Sequence, residues 1–300
     1  MSNSSIPLPQ AGASLSQRRG ALLVTGSALA WSFGGTIDRF IVAPETWAIV
    51  FWRSVFAALF LAGFLLLRDG KGAFRAFREM GWPGLTVALC FMIASIAFVQ
   101  AIALTSVANV ILINAAVPLA AALISWLALG ERISGATWAA IAAVMAGVAI
   151  MVSDGAGSGG ALAGNLLALV ITFVFAIATV VTRRHAGVRM TPAVILATAL
   201  AACVAFTQAG SLSASAHDMA WLFAFGALNL GLGMALFVTG ARLIPASQSA
   251  LLSTLETVLA PIWVWLVHDE KVSLMTLFGG AIVLAALMSY LYLESRKPAR

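Results

Sequence analysis

Charge is what this chain lacks. Asp, Glu, Lys and Arg make up 9% of its 300 residues and hydrophobic residues 62%, whereas soluble domains average about 25% charged and about 45–50% apolar. A soluble fold could not cover its surface with so few charges. The charges also gather in short breaks, leaving apolar runs of about 20 residues, the length a helix needs to cross the hydrocarbon layer. Those runs are continuous Ala, Leu, Val and Ile rather than alternating, which excludes a β-barrel. Cysteine is nearly absent: Cys90 and Cys203 both fall inside apolar runs and fit no zinc or redox spacing. The three histidines, His185, His217 and His268, fall in the polar breaks. No HExxH, GxSxG or acidic cluster supports an intramembrane enzyme. The Gly/Ser-rich stretch at 153–164 has no lysine after it and no strand before it, so it is no phosphate loop. No cofactor or metal is expected. The net charge of +6 is dispersed over several breaks, so no nucleic-acid partner is expected either.

What is present is a series of ten predicted spans: 20–38, 45–67, 83–104, 107–129, 134–152, 162–182, 191–210, 219–241, 245–267 and 273–293. The Arg18-Arg19 pair before the first run resembles a signal peptide, but no small-residue cleavage site follows, so it reads as the first span. Pro44, Pro83, Pro192 and Pro245 stand at or near helix starts, where a missing N–H costs nothing. Pro118 and Pro261 stand inside the fourth and ninth spans and should kink or unwind them. Orientation follows from Lys and Arg. One set of breaks holds fourteen of them and the alternate set only Arg39 and Lys271, leaving Arg53 inside the membrane. Both termini are therefore expected in the cytoplasm.

The chain repeats itself. Residues 106–134 match residues 245–273 at a constant spacing of 139, with Glu131 on Glu270, Trp126 on Trp265 and Asn109 on Gln248. Residues 30–33 match 174–177 with slight slippage, which pairs Trp31 with Phe175 and Arg39 with Arg183. Each half thus has five spans, and an odd number inverts the second half relative to the first. The expected organisation is a cytoplasmic tail at 1–19, a first repeat at 20–152, a linker at 153–161, a second repeat at 162–293 and a basic tail at 294–300. The expected fold class is an all-α membrane protein. Inverted repeats are the architecture of alternating-access transporters, with substrate sites near the midplane.

The run LALGERIS after a mid-span proline, together with LAWSF in the first span and FWRS at 51–54, resembles the EamA module of the drug/metabolite transporter superfamily, over nearly the whole chain. Within it, the chain looks most like exporters of aromatic amino acids of the YddG type. The resemblance implies a secondary transporter exporting small metabolites across a bacterial inner membrane, or a drug or other metabolite exporter of the same fold. In the second copy HDEKVS replaces the GERIS-like run. Nothing mechanistic rests on Asp269 or Lys271.

Candidate site residues are the polar groups whose burial in hydrocarbon is costly. Glu256 lies at the middle of the ninth span and shares a face with Ser249, Ser253 and Ala260. Its three candidate roles are contact with a substrate amine, carriage of a coupling proton, and a structural carboxyl paired with Arg53 or held neutral. Arg53, about two turns into the second span, either anchors the fold or reads a substrate carboxylate. Gln100, Asn109, Asn114, Asn229 and Gln248 can donate and accept, which suits a zwitterion, although each could equally join two helices. Trp31, Phe175 and Thr179 could line a pocket for flat amphipathic solutes, with Thr172 on the same face as Phe175 and Thr179. No second acidic residue is assigned to the apolar spans. The fifth span carries small residues at Gly135, Ala139, Ala143 and Gly147, and with the tenth is read as a packing or homodimer element. The expected partners are small-molecule substrates and the lipid bilayer. A channel is disfavoured, since lone charges make no selectivity ring.

Overall fold

The computed structural model describes residues 11–42, 45–70, 72–130, 134–154, 159–185, 187–241, 243–244 and 246–295. Pro44, Pro245, Glu131, Arg132, the centre of the Gly/Ser-rich linker and both extreme tails lie outside the described residues. All regular structure described is helical: α1 (Ala11–Ser32), α2 (Gly34–Asp38), α3 (Thr46–Asp69), α4 (Gly72–Glu79), α5 (Gly81–Leu104), α6 (Val107–Asn114), α7 (Val117–Leu129), α8 (Gly135–Asp154), α9 (Gly159–Arg184), α10 (Thr191–Gln208), α11 (Ala216–Phe223), α12 (Gly233–Gly240), α13 (Ala246–His268) and α14 (Leu274–Ser295). A π-helical segment, Ala224–Leu232, joins α11 to α12. Among the described residues, eight helical stretches are long and apolar enough to cross a membrane, and two shorter apolar stretches lie in α13 and α14. Large apolar side chains such as Leu59, Phe173, Phe206, Leu228 and Leu266 are exposed on the outer surface. On a soluble protein this belt would be an aggregation hazard, and in lipid it is the solvent-facing surface.

Local chemistry sets the helix ends. Ser106 caps α6 by accepting from the Asn109 N–H at 3.2 Å, and Ser215 caps α11 by accepting from Asp218 N–H at 3.0 Å. Gly130 closes α7 in the left-handed conformation at φ 66°. Pro118 ends the fourth span's helix one turn before itself, because α6 stops at Asn114 and α7 starts at Val117. Pro261 leaves α13 continuous. The first span also breaks, at Phe33, ahead of Gly34 and Gly35. A Cβ on Gly35 would enter the Val107 side chain, and one on Gly34 would meet the Asn229 amide at 3.3 Å. The two glycines therefore let α2 turn in against α6 and the π segment. The short α4, with Ala73 and Ala76 buried and Arg75 and Glu79 exposed, fills a break expected to be loop.

Packing reproduces the repeat. The α1–α2 segment runs parallel to α13: Ser32 meets Trp263, Thr36 meets His268 and Arg39 meets Glu270, at sequence separations of 231, 232 and 231. It runs antiparallel to α12, with Gly20 against Gly240, Gly26 against Leu236 and Trp31 against Gly233. The mirror arrangement holds for α9. It runs parallel to α6 through Asn109–Asn165 and Asn114–Thr172, and antiparallel to α5 through Phe91–Phe175 and Trp82–His185. The first helix of each half thus lies along the fourth of the other, the exchange an inverted repeat produces. The helices of the fifth and tenth spans, α8 and α14, pack on each other where Gly147 and Gly279 face, each leaving room for the other's carbonyl. Gly147 therefore serves contact within the chain, while Gly135 and Ala139 are exposed.

Candidate functional site

The sequence-selected polar residues divide into two groups. Asn109 belongs to a closed network at the junction of α6, α9 and α14. Its Nδ2 donates to Asn165 Oδ1 at 3.2 Å and its Oδ1 accepts from the Thr276 hydroxyl at 2.6 Å. Thr105 also donates to Asn165 Oδ1, at 3.1 Å. One atom here, Asn165 Nδ2, lacks a partner. Asn109 is therefore an interhelical tie. Asn114 accepts from the Thr172 hydroxyl at 3.1 Å and, half-buried at the α6–α7 break, keeps its remaining capacity for other contacts. Asn229 donates to the carbonyls of Ala30 and Trp31 at 2.7 and 3.1 Å, which supplies partners at the point where α1 ends.

The second group is centred on Arg53, 5% exposed and deep in α3. Its Nη1 donates to Ser95 of α5 at 2.9 Å, and its guanidinium stands over Phe225 at 4.5 Å and Phe98 at 5.4 Å. Cation–π contact of this kind holds a charge that apolar helices cannot. Its Nε has no partner. Glu256 is not its counter-ion: among the described residues Glu256 makes no hydrogen bond or ion pair, and burial by surrounding protein is what acts on it. The charge that acts on Arg53 is Asp38, which the sequence reading left at the end of the first span. Asp38 is 8% exposed, so an acidic residue besides Glu256 does lie within the apolar helices. The signal available was Gly34-Gly35, whose freedom to approach other helices turns the chain inward before Asp38 instead of letting it run out to water.

Glu256 is half-buried on the face of α13 that carries buried Ser249 and Ala260, while Leu255, Val258 and Ile262 are exposed on the other side. Ser253, half-buried on that face, returns its hydroxyl to the Ser249 carbonyl at 3.0 Å. The side chain of Gln248 lies outside the described residues. Trp31 packs on Phe237, with 5.4 Å between ring centroids, and its indole N–H is buried without a partner. The Gln100 Nε2 is also unpartnered. Phe175 packs edge-on against Phe91. Thr179, by contrast, is exposed and bonded within its own helix to the Phe175 carbonyl at 2.8 Å. The face of α9 that is buried at Thr172 has emerged by Thr179.

One end of the assembly is tied by an ion pair. Arg39 Nε meets Glu270 at 3.0 Å, Arg39 Nη1 donates to the Ile102 carbonyl at the end of α5 at 2.9 Å, and Glu270 accepts from Val107 N–H at the start of α6 at 3.0 Å. A cation at a helix C-terminus and an anion at a helix N-terminus are each on the favoured side of the backbone dipole. His268 meets the Thr36 carbonyl and Phe40 stacks on Trp221 beside this clamp. At that end the α6 residues 107–113 are all buried. In α7, Val117, Pro118 and residues 120–124 are only half-buried. No group of three or more metal-ligating side chains occurs among the described residues.

Comparison with known proteins agrees with the twofold packing. The sequence pattern of the EamA-like transporter family matches the chain twice, at residues 18–153 and 162–292. Among solved structures, one crystal structure superposes with a TM-score of 0.65 over 96% of this chain and 100% of that one, at 18% sequence identity. That likeness concerns the fold alone. Among proteins with curated descriptions, none matches the chain.

Proposed function

The chain belongs to the EamA-like transporter family, and from that premise we propose that it is a secondary transporter exporting small metabolites, chiefly amino acids with aromatic ones among them. The observation that carries this reading is Arg53. It is a permanently charged planar donor, buried between two aromatic rings, with an unpartnered Nε and the geometry to take a carboxylate. Glu256, without a hydrogen-bond or ion-pair partner among the described residues and on the inward face of α13, supplies the matching contact for an ammonium group. Trp31, whose buried indole N–H is unpartnered among the described residues, and Phe175 provide aromatic surface. Transport proceeds by alternating access through ten spans in a bacterial inner membrane, with both termini in the cytoplasm. In this reading the clamp of Arg39 and Glu270 closes the outer end, and α7 lies toward the inner end. Substrate or ion gradients supply the energy.

The test is flux of labelled aromatic amino acids from proteoliposomes. Efflux should follow the substrate gradient and vanish in Arg53→Met. If no amino acid moves through the intact, folded protein, the substrate assignment is wrong and membership of the transporter family stands alone.

A further inference from the structure

Asp38 and Glu256 both lie among the apolar helices, and they are not equivalent. Glu256 keeps part of its surface open. Asp38 is enclosed, the last residue of the short α2 that follows the break at Phe33. Its Oδ2 pairs with Arg39 Nη1 at 3.6 Å, and among the described residues its Oδ1 has no hydrogen-bond partner. Arg53 is no ion-pair partner of Asp38 among the described residues, yet the two charges act on each other through space. The charged and titratable groups around α2 are Arg39 on its own segment, Arg53 from α3, and Glu270 and His268 from α13 and the turn after it. From α11 come Asp218, which accepts from Val42 N–H at 3.0 Å, and His217 beside it.

An ionised carboxylate offers about four acceptor sites, and leaving them unfilled in a protein interior penalises the charged form. The closed site supplies the ion pair with Arg39 at one oxygen and, among the described residues, no hydrogen bond at the other. That half-filled set accommodates the neutral acid, whereas the anion requires water or the approach of Arg53 as well. We propose that Asp38 binds the proton that is exchanged for substrate. With the outer end open, the Asp38 carboxylate takes a proton from external water. Closure of Arg39 and Glu270 over the 102–107 turn encloses the acid. The O–H bond then breaks toward water admitted from the inner side, and the carboxylate left behind is balanced by Arg53. A proton moves inward for each substrate that leaves. This mechanism rests on the exporter reading above, but its test separates the two.

The experiment compares efflux from proteoliposomes with and without an acid exterior. In the intact protein the acid exterior accelerates efflux. In Asp38→Asn the acceleration is lost, and in Asp38→Glu it is kept. Acceleration retained in Asp38→Asn, or efflux from intact protein that ignores the gradient, overturns the proton site while leaving the exporter reading in place. A second measurement needs no substrate. The infrared spectrum of intact protein at mildly acidic pH should contain a protonated-carboxyl C=O band that is missing from Asp38→Asn. If that band is absent from the intact protein, or survives in folded Asp38→Asn and disappears in Glu256→Gln, Asp38 does not hold the proton.

Discussion

The junction around Asn109 and the neighbourhood of Arg53 both bury polar side chains among apolar helices and differ in how those side chains are satisfied. At the Asn109 junction, amides and hydroxyls from three helices bond to each other, with one amide nitrogen left over. Around α1–α2, α3 and α5, the unpartnered buried atoms include Asp38 Oδ1, Arg53 Nε, Gln100 Nε2 and the Trp31 indole N–H. A buried polar group without a partner carries a desolvation cost that a structural tie does not. Such groups therefore mark where a ligand, water or a second conformation completes the bonding. Residue type identifies a polar site in a membrane protein, and partnering tells which kind it is.

The contrast can be broken by substitution. Arg53→Met should have the largest effect, abolishing amino-acid efflux from protein that still elutes as a folded species and unfolds cooperatively on heating. Asn109→Ala should do the reverse. It takes the acceptor from the Thr276 hydroxyl and leaves Asn165 Oδ1 with Thr105 alone, at a cost of about 1–3 kcal/mol, so the thermal midpoint falls while efflux per folded molecule persists. Gly279→Leu tests packing apart from polarity: a Cβ there would lie 2.5 Å from the Gly147 carbonyl, and overpacking costs about 1–3 kcal/mol, read as a lower midpoint in detergent. Glu256→Gln should weaken binding of amine-bearing substrates by about tenfold, the loss of roughly 1.4 kcal/mol of charge-assisted bonding. It should leave carboxylate analogues lacking the amine unaffected. Thr179→Val should change neither midpoint nor efflux, because its hydroxyl serves only its own helix.

Much of the architecture was legible beforehand, for a physical reason. Hydrocarbon demands long apolar runs, and those runs show in the sequence as plainly as the repeat that pairs residues 106–134 with 245–273. Pro118 announced the α6–α7 break, since a missing N–H and a clash with the preceding turn act locally. The break at Phe33 was less legible, because Gly34 and Gly35 only permit a turn and the neighbours Val107 and Asn229 require it. Asp38 was missed for the same reason: its depth depends on a bend that tertiary packing makes. The two roles open for each amide were also undecidable from spacing. Asn109 and Asn114 lie five residues apart on neighbouring turns, yet one is closed into a network and the other stands at a helix break. Thr179 shares its helical face with Thr172, but a face says nothing about how far along a helix its neighbours extend.

The π segment between α11 and α12 has a mechanical consequence. Its nine residues bond one position further along the chain than an α-helix does, so each turn holds a residue of slack. Gly226 faces the Arg53 backbone, Gly231 faces Phe60, and Asn229 holds the end of α1. If the segment tightens to α geometry, α12 and α11 rotate against each other like two shafts joined by a slipping gear. Phe225 then leaves Arg53, and Asn229 leaves α1, in a single stroke. The register of one helix can thereby act as the escapement between the charged centre and the broken first span.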